Sequence, residues 1–226
     1  MEKESTKVKV HTRYELRDGT RVPSVTTVLG ILNKPALLDW AWKCGIDGLD
    51  YKAVRDHAAD VGTLAHYLIM CHLKGEEPDT SEYSEEVIGK AENCLLSYFE
   101  WLKEHPIEPI LVEVPLVSEK YRFGGMMDCF AKLNGENVLI DHKTGKAIYA
   151  EMFYQLAGYR QLLIENGYEV SSCRILRIGR DENESFEDRP ARYLGREWDL
   201  FQHCLGIYRL QKEIKKGGER WKGLNQ

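Results

Sequence analysis

Apolar residues recur three and four positions apart through Val87, Ala91, Leu95, Tyr98, Phe99 and Leu102. That spacing predicts an amphipathic helix over 84–103, stopped by His105-Pro106. The same period through Leu64, Ala65, Leu68, Ile69 and Leu73 predicts a long helix over 51–74, broken or kinked near Gly62 and ended by Gly75 and Pro78. Pro35 to Lys43 reads as a shorter helix with Leu37, Leu38, Trp40 and Trp42 turned to the core. Nearer the start, Val8, Val10, Tyr14 and Leu16 alternate, Asp18-Gly19 makes a turn and Val22 lies on a return arm, which predicts a small hairpin. Ser24 is placed to cap a short helix running through Val28 and Leu29.

Beyond residue 106 the period drops to two. Ile110, Val112, Val114 and Leu116 share one face and Glu113 takes the other. Strands are expected around 122–133 and 137–143, joined by a turn at Asn134-Gly135. Residues 150–166 return to helix and end at Asn166-Gly167. A strand at 172–179 through Cys173, Ile175 and Arg177, a polar loop from Asp181 to Arg189, and a last helix over 195–216 through Trp198, Phe201, Leu205, Tyr208 and Ile214 complete the chain. The order predicts an α/β fold whose mixed central sheet is flanked by helices. Its 226 residues suit one domain over 1–226, with 1–105 mostly helical and 106–226 holding the sheet.

Composition adds boundaries. No apolar run approaches the roughly 20 residues of a membrane helix, so no membrane partner is expected. The charged opening Met1-Glu2-Lys3-Glu4-Ser5 has no apolar signal core behind it, and a cytoplasmic location is expected. The net charge of −5 counts mildly against a nucleic-acid binder. Basic residues do cluster locally, at Lys212, Lys215, Lys216, Arg220 and Lys222 and again at Arg174, Arg177 and Arg180, where a solvated face is the ordinary explanation. Six cysteines are scattered with no CxxC pair, which points to free buried thiols and not to a disulfide framework, a zinc ribbon or an iron–sulfur cluster. Nothing in the pattern specifies an oligomeric state.

The chemistry concentrates in Gly125-Met126-Met127-Asp128 and in Ile140-Asp141-His142-Lys143-Thr144. Two positions apart on a strand, Asp141 and Lys143 point the same way, with backbones roughly 6–7 Å apart. Asp128, on the neighbouring strand, can reach the same patch. Two carboxylates and a lysine there suit a divalent metal and an activated water. A bare DxK triplet is common by chance, but this one ends an apolar strand, and Gly124-Gly125 leave room for close approach of backbone or substrate. His142 alternates away from Asp141, so its side chain is not expected to be catalytic.

Taken together, Val112-Glu113-Val114-Pro115-Leu116, FGGMMDCF, VLIDHKTGK and the helix YQLAGYRQLL resemble the RecB-like branch of the PD-(D/E)XK nuclease superfamily over about residues 111–163. Upstream, Gly62-Thr63-Leu64-Ala65-His66 resembles that branch's Gly-Thr-x-x-His helix, and PSVTTVLG and Pro35–Trp42 resemble phage-type members. The resemblance implies a restriction-endonuclease-like core with a helical N-terminal elaboration. It implies Asp128 and Asp141 as acidic metal ligands, the main-chain carbonyl of His142 as another, His66 as a further ligand and Lys143 as the catalytic lysine. Gln155 and Tyr159 match a QxxxY motif and, four apart on a helix, share a face. Glu113 matches an acidic position on the first strand. Met127 stands where the superfamily's name has proline, and there is no clustered cysteine set or GxxxxGK[ST] motif.

The function so implied is a Mg²⁺- or Mn²⁺-dependent deoxyribonuclease acting on DNA, an exonuclease in phage or prophage DNA recombination, repair or processing. A histidine ligand favours Mn²⁺ as a competitor. Lys143 would position or deprotonate the attacking water. The helices before residue 105 would wall a groove in which Trp40, Trp42 and Tyr67 either stack on bases or lie buried. The alternatives are a sequence- or structure-specific endonuclease and a catalytically inactive DNA-binding recombination accessory protein.

Overall fold

The computed structural model describes residues 12–218. Val8, Val10, Arg220 and Lys222 fall outside them. A two-stranded ribbon, β1 (Tyr14–Glu15) and β2 (Arg21–Val22), leads into α1 (Val25–Leu29), whose N-terminus Ser24 caps by accepting from Thr27 N at 3.0 Å. Three helices follow, α2 (Pro35–Ile46), α3 (Tyr51–Lys74) and α4 (Glu85–Glu104). Then come β3 (Ile107–Val112), β4 (Pro115–Ser118), β5 (Phe123–Met126), β6 (Cys129–Leu133) and β7 (Glu136–Lys143). The described residues end on α5 (Ala150–Glu165), β8 (Ser172–Ile178), β9 (Phe186–Ala191) and α6 (Gly195–Gly218).

The central sheet has five strands in the order β3-β6-β7-β8-β9. β7 and β8 are parallel, connected through α5, and every other pair is antiparallel. Asn134 and Gly135 both have positive φ, 52° and 82°, as a tight turn between right-twisted strands requires. Alternation along β6 and β7 divides the core in two. Cys129, Ala131, Val138 and Ile140 pack with Leu64, Leu68, Cys94, Tyr98 and Trp101 of α3 and α4. Phe130 and Leu139 pack instead with Val25, Leu156, Leu162 and Phe201 of α1, α5 and α6. The molecule is thus a mixed α/β fold with helices on both faces of its sheet. Among the described residues no helix is long and apolar enough to cross a membrane. All six cysteines are free and buried.

Several local expectations need correction. α3 runs unbroken through Gly62, where the missing Cβ admits the hydroxyl of Thr144, 3.0 Å from where that carbon would stand. α2 turns Leu37, Leu38 and Trp42 outward and buries Cys44, while Trp40 meets Tyr51 edge-on at 6.4 Å. An apolar stripe needs a neighbour to bury it, and α2 touches little besides α3. In α4 the fully buried positions are Ala91, Cys94, Tyr98 and Trp101, with Leu95, Phe99 and Leu102 only partly covered. In α6 the buried stripe stops at Leu205, leaving Ile214 exposed. Neither 110–116 nor 122–133 is one strand. The first breaks at Glu113, which takes φ 51°, and the second at Met127-Asp128, so that β4 and β5 form a separate ribbon.

The polar run from Asp181 ends in an edge strand, β9, not a loop. Pro190 suits an edge, and charged side chains there pair with the arginines of β8. Asp188 Oδ2 pairs with Arg174 and accepts from Trp101 Nε1 at 2.8 Å. His105 stacks on Trp101 at 5.0 Å. This knot ties α4 to β8 and β9. Removing its carboxylate strands a poorly exposed guanidinium, so Asp188→Ala is expected to cost about 3 kcal/mol in chemical denaturation. A loss below about 1 kcal/mol would mean that the knot contributes little.

Candidate active site

After Glu136-Asn137, β7 is apolar through Val138-Leu139-Ile140, and Asp141 and Lys143 then follow Leu139 on the α5 side of the sheet. The Asp141 carboxylate is 1% exposed, and its Oδ2 lies 2.6 Å from Lys143 Nζ. That contact pairs the buried carboxylate with an ammonium. Asp128 stands at the break ahead of β6, beside the end of the β6–β7 ladder. Its Oδ2 accepts from the main-chain N–H of His142 at 2.7 Å, and its Oδ1 lies 3.3 Å from Nδ1 of His66 on α3. Met127 is fully buried in the α5-side core, which anchors the residue before Asp128.

Electrostatics separate the two carboxylates. Burial raises the pKa of Asp141 to about 6, with Asp128 adding to the rise and Lys143 opposing it. Burial acts the same way on Asp128, but His66, then His142 and Lys143, outweigh it and hold the group below the usual carboxylate range. Burial works against the charge on Lys143, yet Asp141 and Asp128 together raise its pKa. The two carboxylates therefore favour the ammonium form of Lys143. His66 is likewise pushed upward, Asp128 overcoming burial.

His142 points to the opposite face, with its ring edge-on to Tyr98 at 5.4 Å. Burial lowers its pKa to about 4, so it is neutral, and its Nε2 has no hydrogen-bond partner. Like Asp141 and Lys143, it is not among the residues that line the cleft described below. Gln155 Nε2 donates to Tyr159 Oη at 2.9 Å on α5. Tyr159 is buried, which raises its pKa, and both carboxylates add to the rise. The two adjacent glycines admit close side-chain packing. A Cβ on Gly125 would sit 2.7 Å from the Tyr159 ring, and one on Gly124 would meet Tyr14 at 2.5 Å.

An open cleft of about 720 Å³ lies beside this group, between α3 and the strand ends. His66, Asp128, Glu113, Tyr67, Thr144 and Arg180 are among its lining residues. Glu113 reaches it because its left-handed backbone turns the chain from β3 into β4, its N–H bonding Asp128 O at 3.1 Å. Burial and the nearby Asp128 raise the Glu113 pKa. The sequence gives Thr144 no site role and offers Arg180 only within a cluster with Arg174 and Arg177, for which a solvated face is the ordinary explanation. The available signal was position: each lies just past the C-terminal end of one of two parallel strands, where α/β folds place ligands.

The residues present fit a hard divalent cation. Asp141 offers a deeply buried carboxylate that faces the Lys143 ammonium, and Asp128 is held ionised beside it. Among the described residues no three His, Cys, Asp or Glu side chains converge tightly enough to enclose a metal alone. Mg²⁺ takes one or two carboxylates and fills its shell with water and phosphate, so two carboxylates meet its need.

No family model and no curated protein matches this chain. Among solved structures, a candidate exonuclease from Eubacterium rectale is 12% identical, covering 70% of this chain and 68% of its own, at a TM-score of 0.46. The exonuclease LHK-Exo in complex with dAMP is 15% identical, covering 74% of this chain and 92% of its own, at 0.41. The alkaline exonuclease LHK-Exo from Laribacter hongkongensis is 16% identical, covering 70% and 91%, at 0.33. These likenesses are remote, and the functional reading rests on this chain's own residues.

Proposed function

We propose that this protein is a metal-dependent deoxyribonuclease of the RecB-like branch of the PD-(D/E)XK superfamily, hydrolysing DNA phosphodiester bonds from an end. The observation that carries the reading is the meeting of Asp128, Asp141 and Lys143 at the ends of β6 and β7, with His66 reaching in from α3 beside an open cleft. The opening segment PSVTTVLG, which resembles phage-type members, supports a role in phage or prophage DNA recombination, repair or processing.

Asp128 and Asp141, with the main-chain carbonyl of His142 and with His66 once deprotonated, would hold Mg²⁺ or Mn²⁺, which supplies Lewis acidity toward phosphate and acidifies water. Lys143 keeps its ammonium beside Asp141 and offers positive charge where the phosphate gains negative charge in the transition state. Tyr159 and Gln155 support the wall behind Gly125 and hold the carboxylate-bearing strands against α5. Glu113 adds a polar group at the mouth of the cleft, near Asp128.

The test is a time course on end-labelled single- and double-stranded linear DNA beside a closed circle, with Mg²⁺, Mn²⁺ or EDTA. Metal-dependent loss of linear DNA with the circle intact is expected. Cutting of the circle would replace the exonuclease by an endonuclease. Binding without cleavage under every metal would leave an inactive accessory protein.

A further inference from the structure

Arg174, Arg177 and Arg180 recur at every third position through and just past β8, and the structure gives them different fates. Arg174 is paired with Asp188, and Arg177 lies 3.4 Å from Glu187 while donating to Glu184 O at 3.1 Å. Both are neutralised by the edge strand. Among the described residues no carboxylate lies within ion-pairing distance of the Arg180 guanidinium, and its buried Nε has no hydrogen-bond partner. Among the described residues its one side-chain hydrogen bond is a long one, to Thr144 Oγ1 at 3.4 Å.

The backbone of Arg180, by contrast, is firmly held. Its N–H donates to Glu184 Oε2 at 2.8 Å and its carbonyl accepts from Asn93 Nδ2 at 3.3 Å. Gly179 permits the tight turn behind it, since a Cβ there would stand 2.5 Å from Glu184 Cβ and 2.7 Å from Ser185 O. A fixed main chain thus presents a cation to the same cleft that Asp128 and His66 line. Lys143 is already committed to Asp141 at 2.6 Å. Carboxylates from Asp128 and Glu113 would repel a nucleic-acid backbone, and the unpaired cation on that wall is Arg180. Its strand lies one place over from β7, about 5 Å across the sheet. It is therefore displaced from the Asp141–Lys143 pair.

We propose that Arg180, supported by Thr144, binds a backbone phosphate that flanks the scissile phosphate on the same DNA strand; this rests on the nuclease reading above. Guanidinium is suited to such a role because its planar fork matches two phosphate oxygens. As a positioning residue, Arg180 acts on binding more than on the chemical step.

The test compares wild type, R180Q and R180K on a labelled single-stranded oligonucleotide. Cleavage is followed with Mn²⁺. Equilibrium binding is followed with Ca²⁺ over a series of salt concentrations, in a D141N background. R180Q is expected to raise KM about 10- to 100-fold with kcat changed by less than about 5-fold, to weaken binding similarly, and to lower the salt slope by about one counterion. R180K should recover the slope but only part of the affinity, since lysine keeps the charge without the fork. Wild-type affinity and slope in R180Q would overturn the inference while leaving the nuclease reading intact. If R180Q does not melt cooperatively, R180K decides: unchanged KM and affinity overturn the inference, and a raised KM with an intact slope supports it. A wild type that neither binds nor cuts DNA would bring down the nuclease reading, and this inference with it.

Discussion

Asp141→Asn is expected to reduce DNA cleavage by at least about 10³-fold and, at the same time, to make the metal-free protein more stable at neutral pH. The two effects share one cause. Asp141 is 1% exposed, and burial lifts its pKa from an ordinary 3.8 to about 6. A carboxyl whose folded pKa is raised binds its proton more tightly in the native state. Its contribution is fully present below about pH 4 and is lost as pH climbs through 6. Above that the ionised group works against folding by an amount on the order of 2–3 kcal/mol. Asparagine keeps the shape and removes the charge. Thermal melts in EDTA should thus show wild type losing stability between pH 4 and 7 while D141N stays comparatively flat. A D141N protein that cuts DNA at the wild-type rate would remove Asp141 from the site. A variant clearly less stable than wild type at pH 7 would mean that the Lys143 contact outweighs burial. Stability sacrificed for a charge that a ligand later satisfies is common at active sites.

Much of this arrangement is legible in the sequence. The turn at Asn134-Gly135 fixes the β6–β7 register, and alternation along Val138, Leu139, Ile140 and Asp141 then assigns faces without ambiguity. Asp128 falls opposite the end of that strand by counting back from the turn. His66 and the Gln155/Tyr159 pair came from motif resemblance, and the structure brings His66 to Asp128 and Gln155 to Tyr159. What was missed depends on partners distant in sequence. β9 is a polar edge strand that looks like a loop until β8 and its arginines are placed beside it. Arg180 belongs to a triplet of evenly spaced arginines, and only the positions of Asp188 and Glu187 reveal which cation is left over. The breaks at Glu113 and at Met127-Asp128 interrupt runs that otherwise alternate well, and a non-glycine residue at φ 51° has no local signature. Leu38 and Trp42 on α2 show the converse failure, since helical spacing of apolar residues states a potential for burial and not what is available to bury them.

Lys143→Met should affect stability in the opposite direction to Asp141→Asn while also abolishing most cleavage. The ammonium is the cation closest to Asp141, at 2.6 Å, and it also favours the ionised form of Asp128. Removing it leaves two carboxylates, one fully buried, with only His66 and the His142 N–H to compensate. Breaking a buried pair from one side typically costs about 3–5 kcal/mol. Lys143 is 19% exposed, which places this pair toward the lower end. The rate effect follows from loss of a preorganised positive charge and is expected to be about 10²- to 10³-fold. Double substitution distinguishes this account from simple additive damage. In D141N/K143M both charges are gone, so the metal-free protein should regain most of the stability lost in K143M alone, a coupling of order 1–3 kcal/mol measurable in a denaturant cycle. Activity, in contrast, should not recover, since the carboxylate and the cation serve the same chemical step and their losses are not independent. An additive cycle would show that Asp141 and Lys143, although in contact, are each balanced by other groups. The role proposed for Lys143 would then rest on the phosphate alone.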